Sequence, residues 1–160
     1  MNKKQGFTLI ELLVVIAIIA VLVAFAVANF VGARNRAFDI KKKSELQQVK
    51  NALRLYYNDF QSYPGPASPS TNSFDGCGTA TVPATCTNEF VNGTTVYMKQ
   101  LPNYSPINWH YEQESSGDDF CLWTALNNKS DTDIADSQTR CVICNAVGYT
   151  PATDYVLCAD

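Results

Sequence analysis

The sequence predicts an α+β chain: one long N-terminal α-helix, apolar on every side in its first half, packed on a small antiparallel β-sheet held by disulfides. Three observations predict it. An apolar run that starts at Phe7 passes without a proline into an amphipathic stretch ending near Phe60. Further on, alternating apolar and polar residues flank a Gly-containing turn. Six cysteines all lie beyond the apolar run, the pattern of a disulfide framework in an oxidising compartment.

Residues 7–31 are interrupted only by Thr8, Glu11 and Asn29. A bilayer core asks for about 20 mostly apolar residues in a helix, and the run meets that length. A carboxylate in such a segment costs roughly 2.5–3.5 kcal/mol, so Glu11 needs a partner. A cut between Gly6 and Phe7 would supply one, because Phe7 would gain a positively charged amine. Pairing between chains would neutralise Glu11 only when subunits pack in the right axial register. Two plainer readings compete. One is a secretory signal, with Lys3 and Lys4 ahead of the apolar core and Ala24-Phe25-Ala26 or Ala26-Val27-Ala28 as its cleavage site; the other is a simple single-span anchor. A secretory apolar core is only about 7–15 residues long and needs no acid at its head.

Gly6-Phe7-Thr8-Leu9-Ile10-Glu11 followed by the apolar run resembles the class III signal sequence of type IV pilins and type II secretion pseudopilins. In that family a membrane prepilin peptidase cleaves after the Gly and methylates the new Phe amine, and the Glu guides subunits into a filament. The resemblance thus implies a leader at residues 1–6, cleavage between Gly6 and Phe7, N-methylation of Phe7 and an assembly role for Glu11. It implies a pilin-like fold with a transmembrane and filament-core helix at 7–31, continued amphipathically at 32–60. Leu46, Val49, Leu53, Tyr56 and Phe60 recur at three- and four-residue steps, one face of a helix. A helix over this whole length would measure about 80 Å. Residues 53–64 are also similar to the end of the helix in major pseudopilins. Ala28 stands where family members commonly have a proline, which predicts a straighter segment. The basic residues between Arg34 and Lys43 read as a solvated face that pairs with Asp39, Glu45 or acids of neighbours.

Pro64-Gly65-Pro66 ends the helix, and residues 61–94 read as an irregular connecting loop open to surface contacts. Residues 95–160 read as the sheet region. Residues 96–102, ending in Leu101-Pro102, partly resemble the segment before the pseudopilin sheet. Strands are expected at 107–112 and 120–126 around a turn at 115–118, at 155–158, and a further one at 141–146. Phe120, Leu122, Thr124 and Leu126 would share one face, with Cys121, Trp123 and Ala125 on the other.

Cys77 is expected to bond Cys86 as a local clasp, and Cys121, Cys141, Cys144 and Cys158 to pair among themselves. Cys141-Val142-Ile143-Cys144 is a C-x-x-C, but a zinc site wants a second ligand pair and the one histidine is His110. Residues 127–134 form an oxygen-rich loop where some major pseudopilins bind calcium. Asp131 and Asp133 are its candidate ligands, although an acidic turn without metal is the reading adopted, and no cofactor is expected. Asp118 and Asp119 read as solvated turn residues. The sequence offers no nucleophile-and-base set, Gly-rich phosphate loop or paired metal motif, so enzymatic chemistry is not expected.

The formal charge of -3 becomes two units more negative once Lys3 and Lys4 leave with the leader. This gives no support to a generally nucleic-acid-binding surface; a local basic patch, which pilins can use to bind DNA, is the remaining route. Lysines and arginines after the apolar run outnumber those before it, which by the positive-inside rule alone would leave the C-terminal part in the cytoplasm. The cysteines and the resemblance point the other way, and the reading follows them. The resemblance implies a self-assembling structural subunit of a type IV pilus-like filament, held first as a single-pass inner-membrane precursor. Its partners would be the prepilin peptidase and the inner-membrane assembly platform and motor. The alternatives are a major-type pseudopilin of a type II secretion system and a secreted, disulfide-stapled binding domain.

Overall fold

The computed structural model describes residues 7–68, 71–79, 81–102, 108–146 and 148–159; the side chains of residues 28, 29 and 146 are outside that description. The expected leader at 1–6, with Gly6, lies outside the described residues, as does the expected strand start at Ile107. The chain divides into two compact units, Met1–Ala37 and Phe38–Asp160. A 52-residue helix, α1 (Leu9–Phe60), runs through both.

In the N-terminal unit the described residues make one continuous stretch of α1 with no core of its own. From Leu12 to Val27 leucine, isoleucine, valine, alanine and phenylalanine fill every position, which sustains the helix but leaves no polar face, so all sides there present apolar atoms. Seventeen large apolar side chains between Phe7 and Val31 are half or more exposed, or nearly so. At about 1.5–3 kcal/mol for each such side chain buried, several tens of kcal/mol favour an apolar surrounding.

The C-terminal unit has its own core. The second half of α1 contributes Leu46, Val49, Ala52 and Leu53, all fully or nearly fully buried. Tyr56 is partly buried against them, while Phe60, expected on the same face, stays 46% exposed. Tyr56 stacks on Phe60 and Phe90, so the end of the helix is held by ring contacts rather than enclosure.

Two sheets pack here. The first has four strands in the order β2-β1-β3-β4, with β1 Phe74–Gly78, β2 Pro83–Cys86, β3 Phe90–Asn92 and β4 Thr95–Met98. It occupies much of the stretch expected to be an irregular loop. The strands are short, their register slips between Asp75 and Cys77 and between Phe90 and Val91, and Gly76 and Gly78 adopt positive φ. Those irregularities break the alternation by which a strand is read. A side chain at Gly78 would meet the Val82 carbonyl at 2.2 Å, so this turn of chain requires glycine on both counts.

The second sheet is antiparallel in the order β5-β6-β7, with β5 Trp109–Gln113, β6 Phe120–Ala125 and β7 Asp154–Leu157. The β5–β6 hairpin turns at the expected place, and Gly117 takes φ 81° there. One face of β6 sends Phe120 and Leu122 into the main core beside Leu53. The other sends Cys121 and Trp123 into a smaller cluster with Cys141, Cys144, Val156 and Cys158.

Two elements differ from expectation. Residues 132–140 form a helix, α2 (Thr132–Arg140), with Asp131 as N-cap. Residues 141–146, expected as a strand, hold a 3-10 helix, Val142–Ala146. Disulfides at Cys141 and Cys144 fix that short turn, and Val142 and Ile143 between them remain exposed. All three bridges close, Cys77–Cys86, Cys121–Cys144 and Cys141–Cys158, and no cysteine is free.

Candidate functional site

The start of α1 is built by a reciprocal pair of side chains. Thr8 donates to Glu11 Oε2 from its backbone N–H at 2.8 Å and from its hydroxyl at 2.6 Å. In return the Glu11 N–H donates to Thr8 Oγ1 at 3.3 Å. Thr8 is the residue before the helix and Glu11 the third within it, which makes this a capping box. It satisfies N–H groups that a helix start otherwise leaves open, and it turns the carboxylate back over the first turn. Glu11 is therefore held by its own chain before any neighbour arrives. Sequence reasoning singled out Glu11 but missed Thr8, although threonine three residues ahead of a glutamate before an apolar run carries that signal. Phe7 is 84% exposed, while Gly6 is outside the described residues.

Immediately after the cap comes the exposed apolar stretch. α1 is long and apolar enough to cross a membrane. The arrangement is thus a polar, capped tip followed by an exposed apolar shaft.

Within the C-terminal unit, Lys42 and Lys43 of α1 do a different job from the solvated face expected of them, and Asp39, expected to pair with such basic residues, holds backbone N–H groups. Asp39, 1% exposed, accepts from the backbone N–H groups of Asn127 and Asn128, each at 2.8 Å. Lys42 donates to the Ala125 carbonyl at 2.6 Å. Lys43 donates to Asp131 and Asp133, both at 2.7 Å. The three fasten the segment after β6 to the helix. The Lys43 ammonium beside Asp131 holds that carboxyl below the usual aspartate range, and the Asp133 N–H adds to the effect.

The two calcium candidates, Asp131 and Asp133, therefore have an ammonium between them, and Asp131 also caps α2 through the Asp133 N–H. No group of three metal-ligating side chains occurs among the described residues. Asp118 and Asp119, expected to be merely solvated, have protein partners: Asp118 accepts from the Tyr57 hydroxyl, and Asp119 from the N–H groups of Phe120 and Ala159. His110 stacks on Trp123 with ring centroids 5.3 Å apart. It lines a shallow hollow with Asn108, Thr150 and Asp154, in which the Asp154 carboxylate is engaged by the Thr150 N–H and the Thr153 hydroxyl.

Residues 1–27 match the model of the prokaryotic N-terminal methylation motif. This region is similar to the N-terminal segments of type II secretion core proteins G and type IV pilins. It is 41% identical over 63 residues to the type II secretion system core protein G of Escherichia coli, covering 39% of this chain and 43% of that protein. It is 44% identical over 63 residues to the type IV wide pilus major component PilA4 of Thermus thermophilus, covering 39% and 48%. Over 61 residues it is 34% identical to the type IV major pilin protein PilA of Myxococcus xanthus, covering 38% and 28%. The chain thus spans less than half the length of these pilin and pseudopilin relatives. No solved structure matches. The family-model match thus falls at the start of the chain and in the first part of α1.

Proposed function

We propose that the protein is a repeating structural subunit of a type IV pilus-like filament and not an enzyme. The observation that carries the reading is the capped tip followed at once by an exposed apolar shaft: Thr8 and Glu11 define where the helix starts, and the large side chains described from Leu12 to Val31 are all apolar and exposed. In the proposed cycle the precursor spans the inner membrane, a prepilin peptidase cuts between Gly6 and Phe7, and the Phe7 amine is methylated. An assembly platform and motor then lift the subunit out of the bilayer. The apolar shafts pack together, with Glu11 meeting the Phe7 amine of a neighbour. The C-terminal unit lies outside the cytoplasm, where its three bridges form, and then on the surface of an extracellular or periplasmic filament.

The similarity to type II secretion core proteins G supports a second reading, a major pseudopilin, by the same assembly chemistry. A secreted binding domain is disfavoured, because α1 continues unbroken past the Ala-rich cleavage candidates near residues 24–28.

Intact mass and N-terminal sequencing of the membrane-associated protein test the reading. The expected product starts at Phe7, carries one extra methyl group and is six hydrogens lighter before reduction than after. A chain starting near Asn29 would overturn the filament reading.

A further inference from the structure

We infer that the C-terminal unit reaches its native cross-links with the help of a second protein, a dithiol of the disulfide-isomerase class. That protein would break and remake bridges in the four-cysteine cluster joining β6, the 3-10 helix and β7. The inference rests on the reading that this unit is oxidised outside the cytoplasm.

The two bridges of the cluster interlace. In chain order the first cysteine bonds the third and the second bonds the fourth: Cys121–Cys144 and Cys141–Cys158. A domain that emerges across the membrane in chain order presents Cys141 to Cys121 before Cys144 has emerged, and Cys158 comes last. An oxidant that joins thiols as they appear makes Cys121–Cys141 and then Cys144–Cys158, or closes Cys141–Cys144 within the C-x-x-C. Chain entropy does not favour the native set either: the Cys121–Cys141 and Cys144–Cys158 loops are slightly shorter than the native loops they replace, and closure cost changes by only about 0.1–0.2 kcal/mol. None of these non-native bridges is found in the fold. Cys77 and Cys86, by contrast, are neighbours in chain order and also natively bonded.

The fold keeps the wrong pairings within reach. Leu122 and Leu157 are paired across β6 and β7, and Cys121 and Cys158 stand one step beyond them. Cys141 and Cys144 are one turn apart. All four share a buried cluster with Trp123 and Val156 and are at most 4% exposed. Exchange requires a thiolate, and the oxidised chain has no free cysteine. Correction must therefore come from an external thiol before the cluster closes.

The exchange balances without an oxidant or reductant. The catalyst thiolate attacks Cys121 of a Cys121–Cys141 bridge, forming a mixed disulfide and releasing Cys141 as thiolate. Cys141 attacks Cys158 of a Cys144–Cys158 bridge, forming the native Cys141–Cys158 bond and releasing Cys144. Cys144 then attacks Cys121 in the mixed disulfide, forming Cys121–Cys144 and returning the catalyst thiolate. Three S–S bonds break and three form.

The test uses the full chain, reduced and denatured, then returned to detergent micelles and oxidised in two ways. One uses diamide with no free thiol; the other uses mixed reduced and oxidised glutathione as the thiol probe. Non-reducing peptide mapping reads the bridges. With diamide the interlaced pair is expected in at most about one chain in three, since four cysteines allow three connectivities, while Cys77–Cys86 forms in nearly all. Glutathione is expected to raise the interlaced pair to the majority. Equal yield and rate of the interlaced pair without free thiol would overturn the inference. In the double variant Cys121→Ala, Cys144→Ala the two remaining native pairs are the short-range ones, and the thiol effect should disappear. Its persistence there would also overturn the inference. Bridge mapping is independent of filament formation, and failure of the filament reading would show separately as a mature chain that does not begin at Phe7.

Discussion

The two units of the chain solve the problem of apolar surface in opposite ways. In residues 7–31 apolar side chains cover every side of α1 and are left outward, so the segment has no stable state in water by itself. From Phe38 onward α1 turns the same residue types to one face, and Leu46, Val49 and Leu53 disappear beneath two sheets. The charged groups differ in the same sense. Glu11 is satisfied within one helical turn, whereas Asp39, Lys42 and Lys43 reach across more than eighty residues of sequence. One unit is finished by its own chain, and the other waits for partners or lipid.

Reduction should separate the two most sharply. Three bridges at about 2–4 kcal/mol each rival the whole stability of a domain, about 5–15 kcal/mol. In detergent, a reductant is expected to abolish hydrogen-exchange protection in β5, β6 and β7. Protection of the apolar half of α1 should persist.

The next effect concerns Glu11, where capping and charge can be told apart. Glu11→Ala removes both; Glu11→Gln keeps a capping side chain but removes the charge. If the charge meets a neighbour's amine, both variants should remain membrane-bound and processed, yet lose filament yield by roughly tenfold or more. Wild-type yield from the Gln variant would reduce Glu11 to a helix cap. Measuring sheared filaments against the membrane pool decides it.

A matched pair of truncations tests the burial contrast. Leu53→Ala should destabilise the C-terminal unit by about 2–5 kcal/mol, lowering its denaturant midpoint. Ile16→Ala should leave that midpoint within about 0.5 kcal/mol.

The smallest effect lies at Lys43. Its ammonium holds the Asp131 carboxyl below the ordinary aspartate range. The contact therefore contributes stability that is fully present above that range and is lost as pH falls through the lowered folded value. Lys43→Met should cost less than about 1 kcal/mol near neutral pH and should flatten the acid limb of the stability profile. An unchanged acid limb would remove the ion pair from the account.

What the sequence made legible follows from the same contrast. α1 was readable because an unbroken apolar run passes without proline into a helical period over residues 46–60, and β6 because Phe120, Cys121, Leu122 and Trp123 alternate between two buried faces. β1 to β4 were not readable: Gly76, Gly78 and Pro83 sit inside them, and two register slips break the alternation. α2 was hidden because Ile134 is its one large buried apolar residue and Ser137, which donates to the Ile134 carbonyl and accepts from the Val156 N–H, looks like a loop residue. Lys42 looked like a solvated charge and Asp39 like a partner for the basic residues near it, because nothing local reveals partners so distant in sequence. At the candidate site Glu11 stood out by its cost in an apolar run, while the signal at Thr8 was present and unread.

The interlaced bridges also set a mechanical limit. Tension applied between Phe120 and Ala159 cannot travel along the intervening backbone. It enters at Cys121, crosses to Cys144, steps back along the chain to Cys141 and crosses again to Cys158. The force path holds only the short Cys141–Cys144 link and two sulfur bridges. α2, β7 and most of β6 lie off the load line. In the proposed filament a hard pull would stretch other parts, while this part of each subunit would yield almost no contour length until a sulfur–sulfur bond broke.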